Sequence, residues 1–443
     1  MRTFKLGGIH PSENKLSAGQ IIKVLEIPSE VTIPLGQHIG APANPIVAKG
    51  DTVVVGQLIA EAAGFISANV HSSVSGKVKN ITKVMDGSGA MRDAIIITVD
   101  GDVWDENIDR SADLVTECNL EPKDIVEKVK QSGIVGLGGA TFPANVKLMP
   151  PPDKTAEVLI INAVECEPYL TADHQLMMEK GAEIMVGTSI VMKALGVSKA
   201  IIGIENNKPD AIALMQKLAV KYNNIEICPL KVQYPQGGEK QLIKATINRE
   251  VPSGALPIEV GAVVQNVGTI FAIYEAVQKN KPLFERIVTV TGKSLDNPSN
   301  FRARVGTSFA HAIEAAGGVP EDTGKIIGGG PMMGKSIVTT AASIVKGSSG
   351  ILIMPEEESK REAMNDCVRC SKCVSACPMG LEPYLLMVTA EKKLHERSEN
   401  AHVMDCIECG SCVFTCPAHR PLLDYIRLEK GRVGAIIRGR ASK

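Results

Sequence analysis

The stretch CVRCSKCVSACPMG, residues 367–380, spaces four cysteines as C-x2-C-x2-C-x3-C-P, and CIECGSCVFTCPAH, residues 406–419, repeats the pattern. These two runs hold eight of the chain's 11 cysteines, so their reading governs the rest. Four closely spaced thiolates closed by a proline match the ligand pattern of bacterial 4Fe-4S clusters, in which the fourth cysteine of each run ligates the other cluster. On that rule Cys367, Cys370 and Cys373 join Cys416 on one cluster, and Cys406, Cys409 and Cys412 join Cys377 on the other. A structural zinc site offers two C-x2-C pairs across a longer loop and has no use for a third cysteine two residues on. Between the runs lie 28 residues from Pro378 to Asp405, longer and more helical than the link in small βαββαβ ferredoxins. An α-helical two-cluster ferredoxin domain is therefore predicted.

Working outward, 443 residues are too many for one ordinary core and imply three or four domains. Lys+Arg of 48 against Asp+Glu of 49 leaves no basic surplus for phosphate neutralisation, so nucleic acid is excluded as a main partner. The longest apolar runs, such as AIIITV from Ala94 and VLIINAV from Val158, are far short of the roughly 18 to 20 residues that span a bilayer. The N-terminus MRTFKLGGIHPSENK lacks the apolar region of a secretory signal, which places the thiols in the reducing cytoplasm and disfavours disulfides.

The texture predicts a multidomain α/β and α+β chain. Residues 1–112 comprise an N-terminal segment and, from Pro34 to about Asp100, short β-type runs with frequent turns. VAKGDTVVVGQLIAE and VHSSVSGKV resemble the barrel-sandwich hybrid of biotinyl and lipoyl carriers, but the hairpin tip GFISANVHS lacks the lysine that takes their prosthetic group. A docking barrel, not a carrier, is expected. Residues 113–284 alternate helices such as KPDAIALMQKLAVKY with β-branched strands such as VLIINAV, an α/β domain. Residues 285–355 read as a small β-grasp unit, and residues 356–443 as a polar linker leading into the ferredoxin domain.

Two clusters form a one-electron wire, and a wire needs a source. GIVGLGGATFPANVKL, Gly133 to Leu148, offers backbone N–H groups to a flat or phosphorylated ligand, although it is not a G-x-G-x-x-G fingerprint. This loop resembles the flavin loop of the NADH-oxidising flavoprotein subunit of respiratory complex I. INAVECEPYLTADHQL, VQYPQGGEKQLI and VQNVGTI follow in the order of that family's NADH-binding and flavin-contacting segments. With the GGIHP start, the β-grasp (SLBB-like) unit and the two-cluster tail, the whole chain resembles the NADH-dehydrogenase-like subunit of the ion-translocating Rnf electron transport complexes.

The resemblance implies FMN cradled by Gly136, Gly138, Gly139 and Ala140, with Lys147 as a cation near its ring or phosphate. It implies that Asn162 and Glu165 hydrogen-bond the flavin, that Asn266 and Thr269 bind its phosphate or ribityl chain, and that Phe142, Glu167 and Glu239 shape the nicotinamide side. Its partners would be NAD(H) and the membrane and ferredoxin-like subunits of the complex, met peripherally on the cytoplasmic face of the membrane. NADH gives up two electrons at once and a 4Fe-4S cluster takes one, so a cofactor that does both is required, and FMN meets that requirement. Hydride transfer needs no side-chain acid or base, and none is assigned. Departures are Val164, where the complex I family carries an aspartate, and an aromatic content of 3%, which leaves the family's second NADH-sandwiching ring without an obvious counterpart. Cys118, Cys166 and Cys228 have no ligand spacing and read as buried small side chains. A soluble cobalamin reductase of similar architecture, or a ferredoxin-like carrier with a docking domain, is the alternative. The tail, residues 425–443, carries six basic residues against Glu429 alone and suggests a docking element for a partner or an anionic leaflet.

Overall fold

The computed structural model describes residues 1–441. Residues 30–99 form the barrel from two small sheets. Glu30–Pro34, Met91–Val99, Gly76–Met85 and Thr52–Val53 make one, and Asn44–Pro45, Leu58–Glu61 and Val70–His71 the other. Alternation puts Val31, Ile33, Val78, Ile95 and Ile97 inside against Ile59 and Val70, the period-2 pattern of a half-buried strand.

The α/β domain is built on a four-stranded parallel sheet ordered Ile225–Leu230, Ala200–Glu205, Val158–Asn162, Ala262–Asn266. The near-continuous apolar runs of its central strands follow from burial on both faces. Helices Ala172–Leu195 and Val267–Lys279 pack closely because Gly187 carries no side chain; a Cβ there would lie 2.6 Å from the Ile270 carbonyl oxygen. Asn162 and Asn266 pair across the carboxyl ends of adjacent strands, where open parallel sheets bind ligands.

In the β-grasp unit the strands Glu285–Thr291, Ser299–Arg304, Thr323–Gly328 and Gly350–Pro355 wrap around helix Phe309–Ala315. The ferredoxin domain is all helical, as expected. Pro383–Glu391, His395–Asn400 and Leu422–Ala441 pack around Leu386, Met387, Val403, Leu422, Ile426 and Val433. No helix among the described residues is long and apolar enough to cross a membrane.

The structure adds detail to three expectations. The first 24 residues do not stay with the barrel but run as a strap over the other domains. Arg2 bridges Leu230, Ile9 bridges Tyr234, and Lys23–Val24 adds an edge strand beside Ser299–Arg304. The basic tail, expected as a docking element, is the helix Leu422–Ala441, with Arg432, Arg438 and Arg440 exposed and part of its charge paired within the ferredoxin domain. Arg427 and Lys430 pair with Glu408, and Arg440 with Glu399; Ser442 and Lys443 lie outside the described residues. Of the three unpatterned cysteines only Cys228 is buried, whereas Cys118 and Cys166 are half-buried.

Candidate flavin and cluster sites

The glycine loop leaves helix Pro122–Gln131 and closes on itself, with the Gly136 amide donating to the Phe142 carbonyl at 2.8 Å. Gly138, Gly139 and Ala140 stand at its crest, all three exposed. Gly139 has φ +112° with no heavy atom within 4 Å of where a Cβ would stand, so the crest is open to a ligand. Gly138 instead lies against Asn266, whose Cβ would be 3.3 Å from a Cβ at Gly138.

Asn266 ends its strand and caps the next helix, its Oδ1 accepting the Gly268 amide at 2.9 Å and its Nδ2 donating to Asp173 at 2.7 Å. Asn162, on the neighbouring strand, donates to the Gly237 carbonyl at 2.8 Å. Thr269 is fully buried, and its hydroxyl accepts the Leu137 amide at 2.9 Å, so it holds the glycine loop from beneath. Lys147 and Glu239 meet at 2.7 Å, and Lys147 also donates to the Val264 carbonyl at 3.1 Å. Phe142 is half-buried at the loop's return. Nine of the twelve flavin and NADH candidates, namely Gly136, Gly138, Gly139, Ala140, Phe142, Lys147, Glu239, Asn162 and Asn266, thus gather at or beside the loop and the strand ends, with Thr269 under them.

Glu165 and Glu167 each accept backbone amides from other segments. Glu165 has φ +49°, a left-handed conformation that side chains disfavour, and its carboxylate accepts the amides of Asp173 at 2.7 Å and His174 at 3.1 Å. It therefore supplies the acidic cap that the helix Ala172–Leu195 lacks at Thr171. Glu167 reaches the β-grasp unit, where Oε1 accepts the amides of Met332 at 3.1 Å and Met333 at 2.8 Å; burial pushes its carboxyl up to about 7. Asp173 is pushed up to about 6, first by burial and then by the charge of Glu165.

Lys15, Lys208 and Arg286 hold the same site, and no motif in the sequence marks them. Lys15 donates to the carbonyls of Glu165, Glu167 and Leu170 at 2.9, 3.0 and 2.7 Å, and Lys208 to that of Val164 at 2.7 Å. Arg286 donates to the Leu137 and Ser348 carbonyls at 3.1 and 2.9 Å. Each reaches a backbone carbonyl far away along the chain, a pairing that leaves no local pattern, although Lys208 also meets Glu205 at 3.8 Å.

The cysteines gather as two sets. Cys377, Cys406, Cys409 and Cys412 line one cavity walled by apolar side chains, among them Met379, Leu381, Leu386, Ile407, Leu423 and Ile426. Burial raises all three of the Cys406, Cys409 and Cys412 thiols, Cys406 up to about 11, and each is raised further by the charge of Cys377. This set abuts the α/β domain. The Tyr234 hydroxyl donates to the Cys409 carbonyl at 2.8 Å, and Gln241 donates to that of Pro378 at 3.2 Å. Burial likewise raises Cys373, whose charged neighbours are Cys416 and Cys367. The first run begins at the surface, with Cys367 and Cys370 exposed, and turns inward through half-buried Cys373 to buried Cys377. Among the described residues no three His, Cys, Asp or Glu side chains are grouped as for a single metal ion. Four thiols around one apolar cavity fit a cluster, and a crest of glycines open to solvent fits a flavin.

Comparison with known proteins gives the same layout. The family model for the RnfC barrel sandwich hybrid domain matches residues 3–102, that for the Nuo51 FMN-binding domain residues 129–275, the SLBB domain residues 287–336, and the 4Fe-4S dicluster domain residues 360–417. The chain is 46% identical over 433 residues to a subunit of the proton-translocating ferredoxin:NAD(+) oxidoreductase complex of Clostridium ljungdahlii, covering 97% of this chain and 94% of that one. It is 44% identical to the counterpart in the Na(+)-translocating complex of Acetobacterium woodii, covering 97% and 96%. With the counterpart in the ion-translocating oxidoreductase complex of Rhodobacter capsulatus it shares 40% identity, covering 87% and 75%. Among solved structures, an NAD+-reducing [NiFe]-hydrogenase in the H2-reduced state shares the fold at 19% identity and a TM-score of 0.50, covering 70% of this chain and 62% of that one.

Proposed function

From the premise that this chain belongs to the RnfC family of ion-translocating ferredoxin:NAD(+) oxidoreductase subunits, we propose how its domains bind their cofactors and pass electrons on. It is an electron-transfer subunit of oxidoreductase type, with FMN, two 4Fe-4S clusters and NAD(H) as its redox groups. FMN held by the chain would supply a group able to take two electrons from NADH and give them singly to the clusters.

The crest Gly138–Ala140 holds the flavin through backbone N–H groups, with Asn162 and Asn266 at the strand ends and the Lys147–Glu239 pair at the rim. Thr269 and Arg286 act through the loop: they tie down its Leu137 amide and carbonyl, so its N–H groups are fixed before any ligand arrives. Phe142 lies on the nicotinamide side. Glu165 and Glu167 shape the site by fixing the segment between them rather than by touching a ligand.

Cys377 joins the second run on the cluster nearer the flavin, and Cys416 joins the first run on the outer one. The observation that carries this reading is the single cavity lined by Cys377, Cys406, Cys409 and Cys412, joined to the flavin domain through Tyr234. Exposure of Cys367 and Cys370 supports an exchange point at the outer cluster with the other subunits of the complex, on the cytoplasmic face. A soluble cobalamin reductase has less support, since the relatives matched along nearly the whole chain are complex subunits.

Anaerobic titration with NADH tests the relay. Flavin bleaching should precede the paramagnetic signals of two reduced clusters, with eight iron per chain. A flavin that NADH leaves oxidised would overturn the reading.

A further inference from the structure

The glycine pair of the N-terminal strap is wedged between the flavin domain and a cluster ligand. Gly7 and Gly8 have φ +69° and +91°, both in the left-handed region. A Cβ on Gly7 would stand 2.5 Å from both the carbonyl carbon and the oxygen of Cys377, and 2.8 Å from the Ala376 oxygen. A Cβ on Gly8 would stand 2.6 Å from Gln233 Nε2 on the opposite side. The pair is also bonded to both walls: the Gly8 amide donates to the Ala376 carbonyl at 3.0 Å, and the Gly7 carbonyl accepts Gln233 Nε2 at 2.9 Å.

The strap cannot drift, because it is tied before and after the wedge. Arg2 pairs with Glu226 at 2.9 Å, Phe4 and Ile9 are buried, and Ile9 and Tyr234 exchange both backbone bonds at 2.9 Å. Lys15 then clamps the acidic segment as described above. Ile9, Tyr234, Ala376 and Cys409 share one buried cluster, so strap, flavin domain and second-run ligands pack as a unit.

We propose that Gly7–Gly8 is a positioning wedge that sets the separation between the flavin domain and the cluster held by Cys377, and hence the rate at which electrons cross between them. This rests on the relay described under Proposed function. The clash at Gly7 is with backbone atoms, which cannot rotate away, so any side chain there must lift the strap or push the 376–377 turn. Tyr234 and Gln241 still fasten the domains at Cys409 and Pro378, so the expected result is displacement, not detachment.

The test uses the full chain loaded with flavin and clusters, carrying Gly7→Ala or Gly7→Val, mixed anaerobically with NADH in a stopped-flow instrument. Flavin and cluster bleaching are followed separately, and iron, flavin and the spectrum of dithionite-reduced clusters are measured alongside. Flavin reduction, iron content and the dithionite spectrum should match the unaltered chain. Cluster reduction by NADH should slow by about threefold or more, and further for valine, because the rate of transfer falls with the separation that the wedge sets. Gln233→Ala, which unclamps the strap without adding bulk, should slow the same step to a smaller degree. Lys5→Ala, an exposed side chain on the same strap, should change nothing. Cluster reduction at the unaltered rate in both Gly7 variants would overturn the proposal. So would loss of iron, since the pair would then hold a ligand and not a gap. If NADH left the flavin of the unaltered chain oxidised, the relay itself would fail and the wedge with it; normal flavin reduction with unaffected clusters would sink the wedge alone.

Discussion

Replacing Gly138 by valine should remove most of the flavin, and the size of the loss follows from what Asn266 is doing. An alanine Cβ would sit 3.3 Å from the Asn266 Cβ and 3.7 Å from its Cγ, tight but within reach of small shifts. The methyls of valine need Asn266 to turn. It is held at both ends of its amide, by the Gly268 cap at 2.9 Å and by Asp173 at 2.7 Å. Losing an N-cap costs about 1 kcal/mol, and losing a hydrogen bond to a buried charged group about 1.5 to 3 kcal/mol. If about 2 to 4 kcal/mol is drawn from flavin binding, Kd rises roughly thirty- to several-hundred-fold at about 1.4 kcal/mol per decade. Gly138→Ala should stay within about threefold, for want of the second branch. Gly139→Ala meets no neighbour but must hold φ +112°, so a strain of about 1 to 2 kcal/mol should weaken binding by about tenfold. Titrating the stripped protein with FMN and following its fluorescence separates the three. A valine variant that binds FMN with unchanged Kd would refute the contact with Asn266 as the cause, and so would an alanine variant as weak as valine.

Cys377→Ser should damage the cluster held by the second run while sparing the first, seen as selective loss of one of two signals in the reduced protein; damage confined to the first-run cluster would refute crossed ligation. Glu167 gives a pH dependence of defined sign. Unfolded it ionises near 4.5 and folded near 7, so between these values the folded chain keeps a proton that the unfolded chain has lost, and stability falls as pH rises through that window, by on the order of 3 kcal/mol at most. Glu167→Gln keeps an oxygen for Met332 and Met333, so its melting temperature relative to the unaltered chain should improve from pH 5 to pH 8; a falling difference would refute the assignment. Deleting residues 429–443 should cost iron as well as any membrane attachment, because it removes buried Glu429, the partner of His395 at 2.8 Å, and buried Val433; full iron retention by the truncated chain would show the helix to be dispensable.

Features whose cause is local were legible in the sequence. Cluster ligation needs thiolates at fixed short spacing, so both runs declare themselves. The parallel sheet announces itself in VLII and AIIGI, because strands buried on two faces need apolar residues at every position. The glycine crest was legible for the same reason, since close backbone approach is a property of the residues that make it. The surroundings of single acidic residues were less legible. Glu165 and Glu167 stand in a segment rich in carboxylates, but which carboxylate faces a ligand depends on backbone direction, and φ +49° at Glu165 turns its side chain onto the helix start instead. The basic tail is a related case, as a count of charges along the chain is blind to Glu408 and Glu399, which pair with Arg427, Lys430 and Arg440 within the ferredoxin domain.

The N-terminal strap marks the limit of that kind of reading, and the limit is physical. Lys15 makes three hydrogen bonds, all to carbonyl oxygens, which every residue possesses, so nothing in the side chains of Glu165, Glu167 or Leu170 advertises the contact. The glycines at 7 and 8 are equally silent. A glycine marks a place where a side chain would not fit, but the obstructing atoms belong to Cys377, and only the assembled domains reveal that. The strap is thus specified by exclusion and by backbone, the two influences that composition and periodicity record least. Its path is nonetheless costly to alter, since it ties Leu230, Tyr234, the acidic segment and Ser299–Arg304 into one body around the second-run ligands. An electron relay depends on separations held across domain boundaries, and a strap contacting the flavin domain, the β-grasp unit and a cluster ligand reinforces the direct ties of Tyr234 to Cys409 and Gln241 to Pro378.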